Sequence, residues 1–358
     1  MTQLRTVQVL GGGSAGSSAH VRSLAAGLVA RGVRVTVCAP AELEHIYDFP
    51  AAGADFTPVA RRGDPAGFGA LRSACAGADL VHAHGPHAGV RAALALSGLR
   101  IPLVVTWHTR GHDDGPRGRL LRLLERRAAR AAAVVLGTCS ELVDRARGHG
   151  ARDARLAPVA MPAPQAGPDA PAPGARTALG AADRPLVLAV GGLDPGRGYG
   201  TLLDAAEWWR QLDPVPLVLI AGEGPERSAL ERRIASGGLP VRLLGRRDDV
   251  SALLGAADVA VLPSRWESRS PLAQEALRLG VPLVATAVGG VPELVGEAAE
   301  LVPYGNVEAL ARAVAGLLGD GERRAELARA GRAQAARWPT EDETVAQVLS
   351  VYDELLSR

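Results

Sequence analysis

Twice along this chain, short continuous apolar runs alternate with longer amphipathic stretches, and a proline-rich break separates the two series. In the first series, residues 6–10, 34–38, 80–83, 103–106 and 133–137 read as strands, with helical patterns at 19–31 and 119–131. In the second, 186–190, 217–221, 241–244, 259–262 and 283–285 read as strands. Helices are expected there at 201–211, 227–236, 250–256 and 271–279, then 307–318, 322–337 and a closing one at 340–357. Strands that are apolar throughout are buried on both faces, and with helices between them they form parallel sheets. The segment 157–185 has many prolines and no periodicity, which is the composition of a linker. The fold class is therefore α/β, with two doubly wound Rossmann-like domains. The expected boundaries are 1–157 and 186–339 for the domains, 158–185 for the linker, and 340–358 for a terminal helix. In such sheets, ligands sit beyond the carboxyl ends of the strands.

Composition removes several function classes. The net charge is +2, with all 40 basic residues arginine, so there is no global signature of nucleic-acid binding. Cys38, Cys75 and Cys139 are odd in number and far apart, which argues for a reducing compartment. The N-terminus carries no charged-then-apolar signal pattern, and no apolar run approaches the roughly 20 residues of a membrane span. A cytoplasmic protein is expected.

Two motifs carry chemistry. Gly11-Gly12-Gly13-Ser14-Ala15-Gly16 follows the first strand and precedes a helix, matching G-x-G-x-x-G in context. A nicotinamide enzyme would have an acid at the end of the next strand to hold the ribose, but Val37-Cys38-Ala39-Pro40 stands there. The loop can still bring amides close to a phosphate or sugar, or it can be simply a tight turn. The second motif sets Glu267 and Glu275 on either side of Ser268-Arg269-Ser270-Pro271-Leu272-Ala273-Gln274. Ser270 suits an N-cap and Pro271 the first helical position. A helix N-terminus, which favours a pyrophosphate, thus lies between two carboxylates able to accept sugar hydroxyls.

Other clusters are weaker. His82, His84 and His87 lack a Cys or carboxylate to complete a tetrahedral metal set, and read as strand-end histidines lining a cleft. There is no Asp-x-Asp motif, so no metal is implied. Asp113-Asp114-Gly115-Pro116 reads as a turn. Helix 117–130 gathers Arg117, Arg119, Arg122, Arg126, Arg127 and Arg130 around Leu120, Leu121, Leu123 and Leu124. Such a helix can touch an anionic membrane peripherally, or can be docked with a solvated arginine face.

The block Leu262-Pro263-Ser264, Glu267, Glu275-Ala276-Leu277, Gly280–Thr286 and Gly289-Gly290-Val291-Pro292-Glu293 resembles the retaining GT-B glycosyltransferases of family 4. Looser resemblance extends over nearly the whole chain, including Val81-His82-Ala83-His84, Thr106-Trp107-His108, Val190-Gly191-Gly192-Leu193 and Val351-Tyr352. The resemblance implies a retaining, metal-independent transfer of a hexose-type sugar from a nucleotide-diphosphate donor, with no cofactor. It implies that Glu275 holds the donor ribose, Glu267 faces the transferred sugar, Arg197 grips the phosphates and His108 lies near the reacting centre. Gly16 would let the N-terminal loop approach the phosphate. Gly13 in the same loop, and Arg269, Ser270 and Leu272 at the helix start, complete the expected donor set. It further implies that the two domains face across a cleft, and that the acceptor is a lipid, a glycan or a small metabolite. Where the family has an arginine after the first strand of its second domain, this chain has Gly192, and Arg269 is the candidate replacement. Two other readings stay open: a sugar-nucleotide binder without transfer, and an NAD(P)-dependent oxidoreductase.

Overall fold

The computed structural model describes residues 3–11, 15–60, 65–110, 115–160 and 174–357. The Cα positions fall into two compact units, residues 1–162 with 339–358, and residues 163–338. In the first unit the strands are β1 (Arg5–Leu10), β2 (Arg34–Ala39), β3 (Asp55–Pro58), β4 (Leu80–His84), β5 (Leu103–Trp107), β6 (Val134–Gly137) and β7 (Ala154–Leu156). They lie in the order β3-β2-β1-β4-β5-β6-β7, every pair parallel. In the second unit β8 (Leu186–Val190), β9 (Leu217–Ala221), β10 (Val241–Gly245), β11 (Val259–Leu262), β12 (Leu283–Thr286) and β13 (Glu300–Val302) lie in the order β10-β9-β8-β11-β12-β13. Each order reverses beside the unit's first strand, at β1/β4 and at β8/β11, and a doubly wound sheet offers its ligand crevice there.

The central strands form where the sequence places mostly Val, Leu, Ile and Ala, with His82 and His84 in β4 and Thr106 and Trp107 in β5, and they are buried along their length. The edges differ from expectation. β3, β7 and β13 were not expected, because Asp-Phe-Thr-Pro, Ala-Arg-Leu and Glu-Leu-Val carry too little apolar signal. They are edge strands, recruited by pairing with a neighbour already in place. Helices at Ala41–Tyr47, Pro65–Ala76, Pro86–Ala95 and Ser140–Gly148 were likewise missed. In Pro65–Ala76 and Pro86–Ala95, Ala, Gly and Pro give weak periodicity, and Ala41–Tyr47 and Ser140–Gly148 are only seven and nine residues long.

The expected linker is shorter than its composition suggests. Residues 161–173 lie outside the described residues, but 174–185 are built onto the second unit. Ala175–Ala178 forms a helical turn, and Ala181 is fully buried in the core. The Arg176 guanidinium donates to the Ala256 carbonyl at 2.7 Å and to Asp258 at 3.1 Å.

The chain ends in the helix Glu341–Leu356, started by a capping box in which Thr340 and Glu343 satisfy each other's backbone N–H groups. Val345, Val348, Val351 and Tyr352 enter the core of the first unit. Its closest approach is to the helix Ala15–Ala30. A Cβ on Gly27 would stand 2.5 Å from Val345 Cγ2.

Gly27→Ala should therefore destabilise the protein by about 1–3 kcal/mol through overpacking, despite the roughly 0.5–1 kcal/mol that alanine gains over glycine inside a helix. Urea denaturation of Gly27→Ala, Val345→Ala and the double variant checks this. The double variant should recover most of the loss of Gly27→Ala, and simple additivity would refute the contact.

Candidate functional site

In the second unit, the loops leaving β8 and β11 are tied to each other. The Arg265 N–H donates to the Gly196 carbonyl at 2.7 Å. Gly198 sits between them with φ +75°, and a Cβ there would lie 1.8 Å from the Pro263 carbonyl oxygen, so no other residue fits. The β11 exit is also held from β12, where Thr286 Oγ1 donates to the Ser264 carbonyl at 2.6 Å. The Gly290 N–H donates to the Glu267 carbonyl at 2.9 Å. The backbone at Glu267 is thus fixed from two sides.

This scaffold brings Arg197 and Glu267 together. The guanidinium Nη1 donates to Glu267 Oε1, and the Ser264 hydroxyl donates to the same oxygen at 2.9 Å. The Glu267 side chain is 12% exposed and that of Arg197 is 38% exposed. Burial pushes the Glu267 carboxyl above its ordinary range, although Arg197 and Ser264 both oppose the shift. Beside Gly192, the Asp194 carboxylate fills the space where a longer side chain would start, with Oδ2 2.4 Å from an added Cβ.

The helix Pro271–Leu279 begins just beyond. Ser270 caps it, its hydroxyl accepting from the Ala273 N–H at 3.4 Å. The Leu272 side chain is buried in the core, so this residue can offer a ligand only its backbone N–H. Pro271 has none to offer. The Arg269 guanidinium rests 5.9 Å from the centre of the Trp338 ring, which Arg278 approaches at 5.7 Å. Glu275, half-buried one turn into the helix, accepts from the Ser251 hydroxyl.

In the first unit, Gly16 lies in the first turn of the helix Ala15–Ala30, while Gly13 and the pair Asp113-Asp114 lie outside the described residues. At the carboxyl edge of the sheet, a buried polar chain leads to His108. Gln8 Nε2 donates to the Tyr352 hydroxyl at 3.1 Å, and Gln8 Oε1 accepts from His84 Nε2 at 3.0 Å. His84 Nδ1 meets His108 Nε2 at 3.2 Å. His82 is held by Tyr352 and by Thr106 Oγ1, each at 2.7 Å. Burial holds the imidazoles of His20, His82, His84 and His108 below their ordinary pKa, His20 to about 4 and His82 to about 3, so all four are neutral at pH 7. His87 does not join them; it is exposed on the helix Pro86–Ala95. His20, which no sequence motif marks, does: its ring lies 5.4 Å from that of His108, centre to centre. The signal that could have found it is its place one turn after the glycine loop, at the same sheet edge as the strand-end histidines.

The arginine-rich helix, Gly115–Ala131, is docked and also presents leucines to solvent. Glu125 is buried in a 2.8 Å pair with Arg145, and Ala128 and Ala129 face the core. Leu120 and Leu123 are more than half exposed among the arginines. Among the described residues, no helix is long and apolar enough to cross a membrane.

Residues 175–334 match the family model described as glycosyl transferases group 1, and residues 15–162 match that of a glycosyl transferase 4-like domain. The chain is 33% identical over 313 residues to the D-inositol 3-phosphate glycosyltransferase of Salinispora tropica, a match spanning 78% of this chain and 64% of that relative. It is 33% identical over 312 residues to the protein of the same name from Salinispora arenicola, spanning 78% and 69%. Among solved structures, Anabaena HepE in complex with UDP superposes with a TM-score of 0.83 at 20% identity, covering 98% of this chain and 100% of that one.

The Glu267 environment has a measurable consequence. A carboxyl whose folded pKa is raised favours folding below its unfolded value of 4.5, and that contribution is lost as pH rises through the folded value. Glu267→Gln keeps an oxygen for Arg197 and Ser264 but cannot ionise. Its stability relative to wild type should increase as pH is raised from about 4 to 7. Thermal melts across that range check this, and a relative stability that falls would contradict the burial argument.

Proposed function

The chain belongs to the group 1 glycosyltransferases with a family 4-like N-terminal domain, a GT-B arrangement of two Rossmann-like domains, and we propose that it moves a hexose from a nucleoside diphosphate sugar to an alcohol acceptor, with retention and without a metal. The observation that carries this reading is the Arg197–Glu267 pair, fixed from three loops at the switch point of the second sheet. Cleavage of the donor leaves a diphosphate whose negative charge grows in the transition state. A cation already held in place meets that charge without reorganisation. Glu267 holds Arg197 there, and its own carboxylate can accept hydroxyls of the transferred sugar.

The capped helix start offers the backbone N–H of Leu272 to a phosphate oxygen, and Glu275 is placed to take ribose hydroxyls in exchange for Ser251. His108 acts at the transferred sugar, where a neutral imidazole can exchange hydrogen bonds with hydroxyls without adding charge. Retention follows from attack on the face that the leaving phosphate vacates, with the phosphate taking the acceptor proton. Family membership takes precedence over the nicotinamide reading. A protein that binds a sugar nucleotide without transferring is separated from an enzyme by product release.

UDP-glucose, with the UDP of the Anabaena neighbour as guide, and D-inositol 3-phosphate, named in the relatives, are the first donor and acceptor to try. Free UDP should appear only when both are present, and EDTA should not suppress it. Loss of activity in EDTA that Mg²⁺ or Mn²⁺ restores would overturn metal independence. Binding without UDP release from any donor and acceptor pair would favour the binder. A lipid-linked acceptor is a second reading, favoured by exposed Leu120 and Leu123. Sedimentation with anionic vesicles that Leu123→Glu abolishes would select it.

Glu275 and His108 should separate in their effects. Losing charge-assisted hydrogen bonds to a ribose costs about 1.5–3 kcal/mol, or about 10- to 150-fold in nucleotide affinity, for Glu275→Ala. His108→Ala should lower turnover while leaving nucleotide affinity near wild type. Calorimetry with UDP beside steady-state rates tests both, and the assignment fails if the two variants behave alike.

A further inference from the structure

Three imidazoles carried by three different elements converge at the carboxyl edge of the first sheet. His20 comes from the helix Ala15–Ala30, His84 from the end of β4, and His108 from the residue after β5. One nitrogen from each lies within 4.8 Å of the others. We propose that His20, His84 and His108 form a binding site for a divalent transition ion of the Zn²⁺ class, with a fourth coordination position open, and that its occupation inhibits sugar transfer.

The ring positions carry the assignment. Two nitrogens on a tetrahedral metal at about 2.0–2.1 Å stand about 3.3–3.4 Å apart. His84 Nδ1 and His108 Nε2 are already 3.2 Å apart. Adding the ring radius to the same metal–nitrogen distance puts imidazole centres in a three-histidine site about 5.2 Å apart. Here the three centre-to-centre distances are 5.4, 5.5 and 5.9 Å. The triangle is that of a ligand set, wider by about 0.2–0.7 Å, and on binding the ligand nitrogens draw in from the 4.8 Å within which they now lie.

The hydrogen bonds set the tautomers. Gln8 Oε1 can only accept, so His84 carries its proton on Nε2 and turns the lone pair of Nδ1 towards the other two rings. Without an ion that lone pair accepts from the His108 Nε2–H, so metal entry shifts the His108 proton to Nδ1 and frees Nε2 as a ligand. A ligating histidine is held in the same way, its outer N–H donated to a carbonyl-type oxygen. His82, although stacked on His84, is not available, since Tyr352 and Thr106 occupy both of its nitrogens. His108 is half-buried where His20 and His84 are buried, which leaves one side of the triangle accessible to a fourth ligand. Three imidazoles and no carboxylate suit Zn²⁺, Ni²⁺ or Cu²⁺ and not Mg²⁺ or Ca²⁺. An ion held by His108 withdraws that ring from the sugar. The inhibition therefore rests on the function proposed above, whereas the binding site does not.

Untagged protein, stripped with EDTA and freed of the chelator, is titrated with ZnCl2 by calorimetry without any sugar nucleotide, and with CoCl2 while its visible absorption is followed. One equivalent of Zn²⁺ should bind, Co²⁺ should give intense tetrahedral bands, and MgCl2 should give no heat. His20→Ala should bind Zn²⁺ at least about tenfold more weakly. It should keep its UDP release and become resistant to Zn²⁺, while wild type is inhibited. His20→Gln serves as the second variant if alanine unfolds the helix start, judged by circular dichroism. Absence of stoichiometric Zn²⁺ binding by wild type, or undiminished binding in both His20→Ala and His84→Ala, overturns the site. Zn²⁺ binding with unchanged activity overturns the inhibition alone. Zn²⁺ binding that depends on His20, in a protein that releases no UDP under any condition, overturns the transferase reading and leaves the site standing.

Discussion

Each sheet is parallel and must be covered on both faces, and this constraint sets almost everything else. A parallel strand can be reached only by a crossover, so every strand of a sheet ends on the same edge. Apolar side chains fill most of both faces of the central strands, which concentrates polar groups towards that edge, where Gln8 and His82 extend the network into β1 and β4. Arg197, Glu267 and Ser270 stand there in one unit, and His84 and His108 in the other. Side chains far apart in sequence meet because their strands are neighbours: β8 and β11 bring the Arg197 loop to Glu267, and β4 and β5 bring His84 to His108.

Polar groups buried at that edge must be satisfied, and the two units do this differently. In the second unit the network is built on an ion pair. Arg197 and Ser264 share the Glu267 carboxylate, and the Arg197 side chain stays partly exposed. In the first unit the partners are neutral. Gln8, Tyr352, His82, His84 and His108 form a chain in which each contact pairs a donor with an acceptor. Tyr352 comes from the last helix, so the ordering of the carboxyl edge of this sheet depends on residues more than 240 positions further along the chain from His108. A buried neutral network of this kind fixes ring orientation, and fixed imidazole lone pairs are also what a metal ion needs.

Much of this was legible without coordinates, because it is written in local pattern. The unbroken apolar runs of the central strands, the Ser270-Pro271 helix start and the block from Leu262 to Glu293 each carry their meaning within a few residues. The edge strands Asp55–Pro58, Ala154–Leu156 and Glu300–Val302 did not, since an edge strand is stabilised by its neighbour more than by its own side chains. The Arg269 guanidinium lies over Trp338, 69 positions away, and no spacing rule foretells that contact.

The sequence by itself determined the α/β class, the two domains, the family and the identity of Arg197, Glu267, Glu275 and His108 as candidates. The reason is that periodicity and capping are short-range effects, decided by neighbouring side chains. Only the tertiary structure decided that Arg197 grips Glu267, that Glu275 is met by Ser251, and that His20 rather than His87 joins His84 and His108. Those outcomes depend on strand order and on which loop crosses which, and strand order is settled by long-range packing that no local window contains.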